Sequence, residues 1–232
     1  MLTALVLLAA LDSAPAKPGQ LAALGPIPKD TVRAFLVRHG QALSNLNPRP
    51  KLTPKELDHL TDLGRAQTAR TRALLHGQGV RLVLTSPAER ARETAAILAD
   101  TVSAGVPPVE PRLRSMELGR SPAGQPLGWT EREVELKAGR DPQPPGGESF
   151  QQVADRMIDL LTTLARERGG QGVVLVSHSE VISALVGSVR GLPKTEWEEL
   201  GIPNASVTVV DATPGKPPRV LLVGLSAEGA KP

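Results

Sequence analysis

Two histidines sit where a sheet could bring them together. His39 lies in Arg38-His39-Gly40, directly after the apolar, strand-like run Val32–Val37, and His178 follows Val173-Val174-Leu175-Val176-Ser177 in the same way. A third run, residues 80–84, ends in Thr85-Ser86-Pro87, and Arg90 follows one helical turn after that proline. Phosphoryl transfer asks a protein for charge stabilisation over the equatorial oxygens and for an in-line nucleophile. Arg38 and Arg90 meet the first need, because planar guanidinium forks match phosphate bidentately and stay charged at any working pH. A neutral imidazole meets the second, attacking phosphorus to give a covalent intermediate that water later hydrolyses. The neighbouring guanidinium groups disfavour imidazolium and so help to hold His39 neutral. His178, just ahead of a helix over 180–189, lies close to backbone N–H donors that favour anions. A metal bound by the two histidines is disfavoured, since the arginines repel a cation and no carboxylate cluster accompanies them.

These residues require a scaffold that delivers several strand ends to one edge. In an open α/β sheet, ligands bind outside the carboxyl ends of the strands. The chain alternates short apolar runs with helical stretches: helices are expected from about Thr61 to Leu75, Pro87 to Ala99 and Glu180 to Val189. A long amphipathic helix opened by Gly146-Gly147-Glu148-Ser149 carries Phe150, Val153, Met157, Leu160, Leu161 and Leu164 at helical spacing. Closing strands are expected over 207–210 and 220–223. Such alternation implies parallel pairing and right-handed crossovers. Between Arg114 and Pro145 the pattern dissolves into Gly, Pro and charge around a short helix near 131–138, and this segment is expected to form part of the pocket rim.

Composition narrows the partners. The 232 residues suit one domain over residues 31–225, with 226–232 as a tail. Aromatic residues are 2% of the chain, which argues against the stacking platforms of single-stranded nucleic-acid binding. The formal charge of +3 is spread among acids without forming a stripe, so a small anionic substrate is expected rather than a nucleic acid. There is no cysteine, hence no thiolate nucleophile and no disulfide. Residues 1–11 are apolar apart from Thr3, and Ala14-Pro15-Ala16 has a small-x-small cleavage pattern, so residues 1–16 are expected to be a signal peptide of an exported protein. The alternative is an N-terminal helix on a cytoplasmic chain. The stretch is too short to span a bilayer. Residues 17–30 are expected to be a linker, and oligomeric state is left open.

In these motifs the chain resembles the histidine phosphatase (phosphoglycerate mutase-like) superfamily. The resemblance rests on Arg38-His39-Gly40 with Asn45, on Leu60-Thr61 with Gly64 and Gln67, and on Thr85-Ser86-Pro87 with Arg90-Ala91 and Glu93-Thr94-Ala95. It continues through Pro145–Ser149 and Val176-Ser177-His178, covering about residues 32–210 in consistent order. It implies a three-layer α/β/α sandwich with a mostly parallel central sheet. It also implies His39 as phospho-accepting nucleophile, Arg38, Arg90 and His178 around the phosphate, Asn45 and Gly40 as further substrate contacts, and a phosphomonoester hydrolase that needs no metal or other cofactor. In the resemblance the proton-donating Glu falls at Ser115, so Glu117, the nearest carboxylate, is expected to be the acid. Glu148 is a second candidate or substrate contact, or a carboxylate favoured by the helix dipole. Ser179 stands where the family usually has Gly, and either contacts phosphate or caps the helix. The alternatives are a phosphoglycerate mutase-type phosphotransferase and a non-catalytic phosphate- or phosphoprotein-binding member. No extra basic cluster serves the first in 114–145, where Arg114, Arg120, Arg132, Lys137 and Arg140 interleave with acids. Ser115 keeps the second open.

Overall fold

The computed structural model describes residues 19–100, 102, 105–197 and 200–227, so residues 1–16 lie outside the described residues. The order is α1 (Gly19–Ala22), β1 (Val32–Arg38), α2 (Pro54–Leu57), α3 (Asp62–Leu75), β2 (Val80–Thr85), α4 (Glu89–Ala99), α5 (Trp129–Lys137), α6 (Phe150–Glu167), β3 (Gly172–Ser177), α7 (Ser179–Arg190), β4 (Val207–Ala212) and β5 (Arg219–Leu225). The strands form one sheet in the order β2-β3-β1-β4-β5. No helix among the described residues is long and apolar enough to cross a membrane.

Side chains on a strand alternate between faces, and here both faces are covered. Val32, Ala34 and Leu36 of β1, with Val173 and Leu175 of β3, face the core formed with α6 and α7. Phe35 and Val37, with Val174 and Val176, face the core formed with α3 and α4. This explains why β3 reads as an unbroken apolar run and β1 as one interrupted only by Arg33, whose guanidinium is buried against Asp211. The long amphipathic helix α6 begins where expected: the Ser149 hydroxyl accepts from the Gln152 amide at 3.1 Å and the Gln152 side chain returns a bond to Ser149 N, a capping box. The helix α7 ends at Gly191, whose φ of 63° is the left-handed conformation glycine adopts without penalty.

Two expectations need correction. Parallel pairing is confined to β2-β3-β1, because β4 runs antiparallel to both β1 and β5. The turn between β4 and β5 is short, and short connections join antiparallel strands. The stretch after residue 18 is not a loose linker: Leu21 is buried among Phe35, Val37 and Leu75, and the Arg33 guanidinium donates to the Gly25 carbonyl at 2.8 Å. Burying a leucine side chain contributes roughly 1.5–3 kcal/mol, so this segment is docked on the domain.

Candidate active site

The register of the parallel strands places the chemistry. Arg38 is paired with Ser177 and the His39 amide donates to the Ser177 carbonyl at 3.0 Å, so His39 and His178 leave the sheet side by side. Their ring centroids are 5.3 Å apart. On the far side of β3, the Ser86 amide donates to the Val176 carbonyl at 3.0 Å, bringing the end of β2 to the same edge. Arg90 lies in the first turn of α4, which begins at Glu89, two residues later than the proline suggested.

Arg90 joins the two histidines. Its Nε donates to His39 Nε2 at 3.1 Å and its Nη2 to His178 Nδ1 at 3.1 Å. A guanidinium can only donate, so both ring atoms accept, and each imidazole carries its proton on the other nitrogen. His39 Nδ1–H accordingly donates to the Gly40 carbonyl at 2.8 Å, and His178 Nε2–H to Ser86 Oγ at 2.8 Å. Two neutral imidazoles are thus fixed in opposite tautomers. Burial is the largest cause that holds His39 well below the ordinary histidine value, and His178, Arg90 and Arg38 add to it. Burial likewise lowers His178, followed by Arg90, Arg156 and Arg38. The neutrality expected from the arginines is present, with desolvation the greater cause.

Arg38 is anchored by its Nη1, which donates to the Ile202 carbonyl at 2.7 Å. Its Nε is buried without a hydrogen-bond partner, a donor suited to an anion. Burial pulls its basicity down from the usual arginine value, with Glu180 opposing and Arg90 adding. Arg38 belongs to the wall of an open pocket of about 550 Å³ that also includes Ser179, Glu180, Trp129 and Lys137. Arg90 belongs to a second hollow, beside Asp58 and His59.

The other expected site residues divide. Asn45 lies close by, its side-chain oxygen accepting from the Ala42 amide at 2.9 Å and from Asn204 Nδ2 at 3.4 Å. The polar atoms of Gly40 are committed within the fold, its carbonyl to His39 and its amide to Thr94 Oγ1 at 3.0 Å. Gly40 therefore orients the His39 ring. A Cβ there would stand 2.5 Å from the Gly64 carbonyl oxygen, so glycine is required by the close approach of α3. Ser179 is the first residue of α7, not its cap, and its hydroxyl donates to Glu180 at 3.3 Å. Glu148 is enclosed by Arg114 Nη2 at 2.7 Å, Arg156 Nε at 2.9 Å and the Glu117 amide at 3.1 Å. Burial opposes its charge, but the Arg156 bond, the Glu117 amide and the two cations leave it below the ordinary Glu value. Glu148 fastens the 114–117 segment to α6 and is outside the pocket walls. Glu117 is exposed, with Arg114 Nε as its nearest cation at 3.8 Å, and it too is outside both hollows.

Three residues of the site carried no signal in the sequence. Asp58 ion-pairs with Arg90 Nη1 and accepts from the Glu89 amide at 2.8 Å, so one carboxylate holds both the guanidinium and the start of α4. Asn204 donates to the His39 carbonyl at 3.0 Å from the loop before β4. Glu180 accepts from Ser115 Oγ at 2.5 Å. Asp58 and Asn204 reach the site through loops that no periodicity marks, while Glu180 stands only two residues beyond His178.

The model of the histidine phosphatase superfamily (branch 1) matches residues 34–224. The glucosyl-3-phosphoglycerate phosphatase of Mycolicibacterium vanbaalenii is 34% identical over 186 residues, covering 73% of this chain and 79% of that protein. The probable phosphoglycerate mutase GpmB of Erwinia tasmaniensis is 29% identical over 188 residues, covering 78% of this chain and 85% of that protein. Among solved structures, the native mycobacterial glucosyl-3-phosphoglycerate phosphatase superposes with a TM-score of 0.63 at 28% identity, covering 84% of this chain and all of that one (100%).

Proposed function

Because the chain belongs to the histidine phosphatase superfamily (branch 1), we propose that it is a phosphomonoester hydrolase of small molecules, working without a metal through a phosphohistidine at His39. The observation that carries this reading is the bonding of His39: its Nδ1 proton is committed to the Gly40 carbonyl, which leaves the Nε2 lone pair on the side of Arg90. Substrate phosphate takes over the Arg90 donors and the unpartnered Arg38 Nε, freeing Nε2 to attack phosphorus. The phosphorus–nitrogen bond forms as the bond to the ester oxygen breaks. Water then attacks the phosphohistidine, and phosphate leaves. His178, neutral and held by Ser86, lies within the same donor cluster around the phosphate.

A mutase must hold a second phosphate. The cation in the pocket wall beyond Arg38 is Lys137, which is ion-paired with Glu133, and this favours hydrolysis over phosphotransfer. The relatives include a glucosyl-3-phosphoglycerate phosphatase, which places a small phosphomonoester of that kind first in a substrate panel with 3-phosphoglycerate, phosphoserine and sugar phosphates. The test is a brief incubation with labelled substrate followed by an alkaline quench. The wild-type chain is expected to retain acid-labile phosphate, and His39→Ala none. Equal labelling of both would overturn the reading.

A further inference from the structure

A departing alkoxide needs a proton, and positioned acids contribute roughly 100- to 10,000-fold. We propose that Glu180 is the catalytic acid, delivering that proton to the leaving-group oxygen from the first turn of α7. The inference rests on the phosphohistidine reading and adds the residue that completes it.

Two carboxylates line the pocket that contains Arg38, Glu133 and Glu180. Glu133 is ion-paired with Lys137. Glu180 takes part in none of the ion pairs among the described residues. Its Oε1 is bonded to Ser115 Oγ at 2.5 Å and, more weakly, to the Met116 amide at 3.4 Å, and its Oε2 to Ser179 Oγ at 3.3 Å. The identity of these partners matters. The Met116 amide can only donate and keeps Oε1 an acceptor, whereas the Ser179 hydroxyl on Oε2 both donates and accepts and can keep its bond whether or not that oxygen carries a proton.

Ser115 is itself held in place, because the Ser177 hydroxyl at the end of β3 donates to the Leu113 carbonyl at 2.8 Å and pins the 113–116 segment against the strand that delivers His178. Glu180 therefore has its oxygens fixed from two sides, by its own helix and by Ser115, on the pocket wall it shares with Arg38. Glu117 and Glu148 lie outside that pocket. In the first step the ester P–O bond breaks, its electron pair stays on the oxygen, and that oxygen takes the Glu180 proton to leave as an alcohol. In the second, water attacks the phosphohistidine, the phosphorus–nitrogen bond breaks with its electron pair returning to His39 Nε2, the water's proton passes to solvent, and the Glu180 carboxylate is reprotonated from solvent.

The test compares the full chain and its Glu180→Gln variant on p-nitrophenyl phosphate, whose leaving group barely needs a proton, and on glycerol 2-phosphate, whose leaving group does. Glu180→Gln is expected to lower kcat on glycerol 2-phosphate by about 100-fold or more while changing p-nitrophenyl phosphate turnover little. It is also expected to leave labelling of His39 by the aryl substrate intact, which shows that the variant is folded. Glu180→Asp, an acid on a shorter arm, is expected to recover part of the loss. Equal slowing of both substrates, no effect on either, or appearance of the same leaving-group dependence in Glu117→Gln would overturn the proposal. Absence of a phosphoenzyme in the wild-type chain is a separate result, which overturns the His39 reading itself.

Discussion

Arg90 donates from Nε to His39 Nε2 and from Nη2 to His178 Nδ1, each across 3.1 Å, so a single side chain sets the tautomers of both imidazoles. Its remaining nitrogen, Nη1, is ion-paired with Asp58. The guanidinium is held on every side before any anion arrives, so the donors that a phosphate would take over are already oriented toward the histidine pair.

Replacement of that fork by a point charge is expected to be costly. Arg90→Lys keeps the charge but cannot reach both histidines, and Arg38→Lys loses the planar Nε donor. Each is expected to lower kcat/KM on the order of 100-fold, measured by steady-state turnover of p-nitrophenyl phosphate. Near-wild-type rates in both would show that the planar forks are dispensable for turnover.

Asp58 is expected to act as a positioning residue. Asp58→Asn removes the ion pair to Arg90 and weakens the acceptor for the Glu89 amide, letting the guanidinium drift, and misplacement by about 1 Å can cost up to about 100-fold. The loss is expected chiefly in kcat, with His39 still labelled but more slowly in rapid-quench measurements. Unchanged labelling kinetics would mean that Asp58 serves α4 alone.

The buried histidines make stability depend on pH. Both are lowered in the folded chain from an ordinary value of 6.5, so below that pH the unfolded chain binds protons the folded chain does not. Their contribution is fully present above 6.5 and is lost as the pH falls toward the lowered folded values, by up to about 1.4 kcal/mol per pH unit for each histidine. Urea denaturation at pH 7.5, 6.0 and 5.0 is expected to show this decline, and His178→Asn is expected to flatten it. An equally steep profile in the variant would assign the dependence to other groups.

Gly40 is expected to tolerate no side chain. An alanine Cβ would stand 2.5 Å from the Gly64 carbonyl oxygen and 2.7 Å from Thr68 Oγ1, so β1 and α3 must separate, at a cost of about 1–3 kcal/mol. Because the Gly40 carbonyl also holds His39 Nδ1, the shift is expected to reduce turnover along with the melting temperature. A stable, fully active Gly40→Ala would show that the approach is not tight.

The central features were legible because they are local. Each histidine directly follows an apolar run, and the parallel register of β1 and β3 then makes Arg38 and Ser177 neighbours without further information. The motif around Arg90 was legible for the same reason. What stayed hidden depends on contacts between distant segments: Asp58 on Arg90, Asn204 on the His39 carbonyl, Ser115 on Glu180. Proximity in sequence favoured Glu117 as the acid, yet its side chain turns outward to Arg114. The docking of Leu21 was concealed by the surrounding Pro and Gly, and the reversal of β4 by apolar runs that read alike in either direction.

That reversal shapes the site. Loops that leave strands converge at one edge of a sheet, whereas a loop that enters a parallel strand lies at the opposite edge. Val207, the first residue of β4, is opposite Val37, near the last of β1, so the incoming turn that carries Asn204 and Ala205 arrives beside Arg38 and His39. Were β4 aligned with β1, that turn would sit a strand's length away, roughly 20 Å at about 3.3 Å per residue. Counter-running β4 thus turns an arrival into a neighbour, and the backbone of His39 is braced by a segment that a uniformly parallel sheet would have sent to its far side.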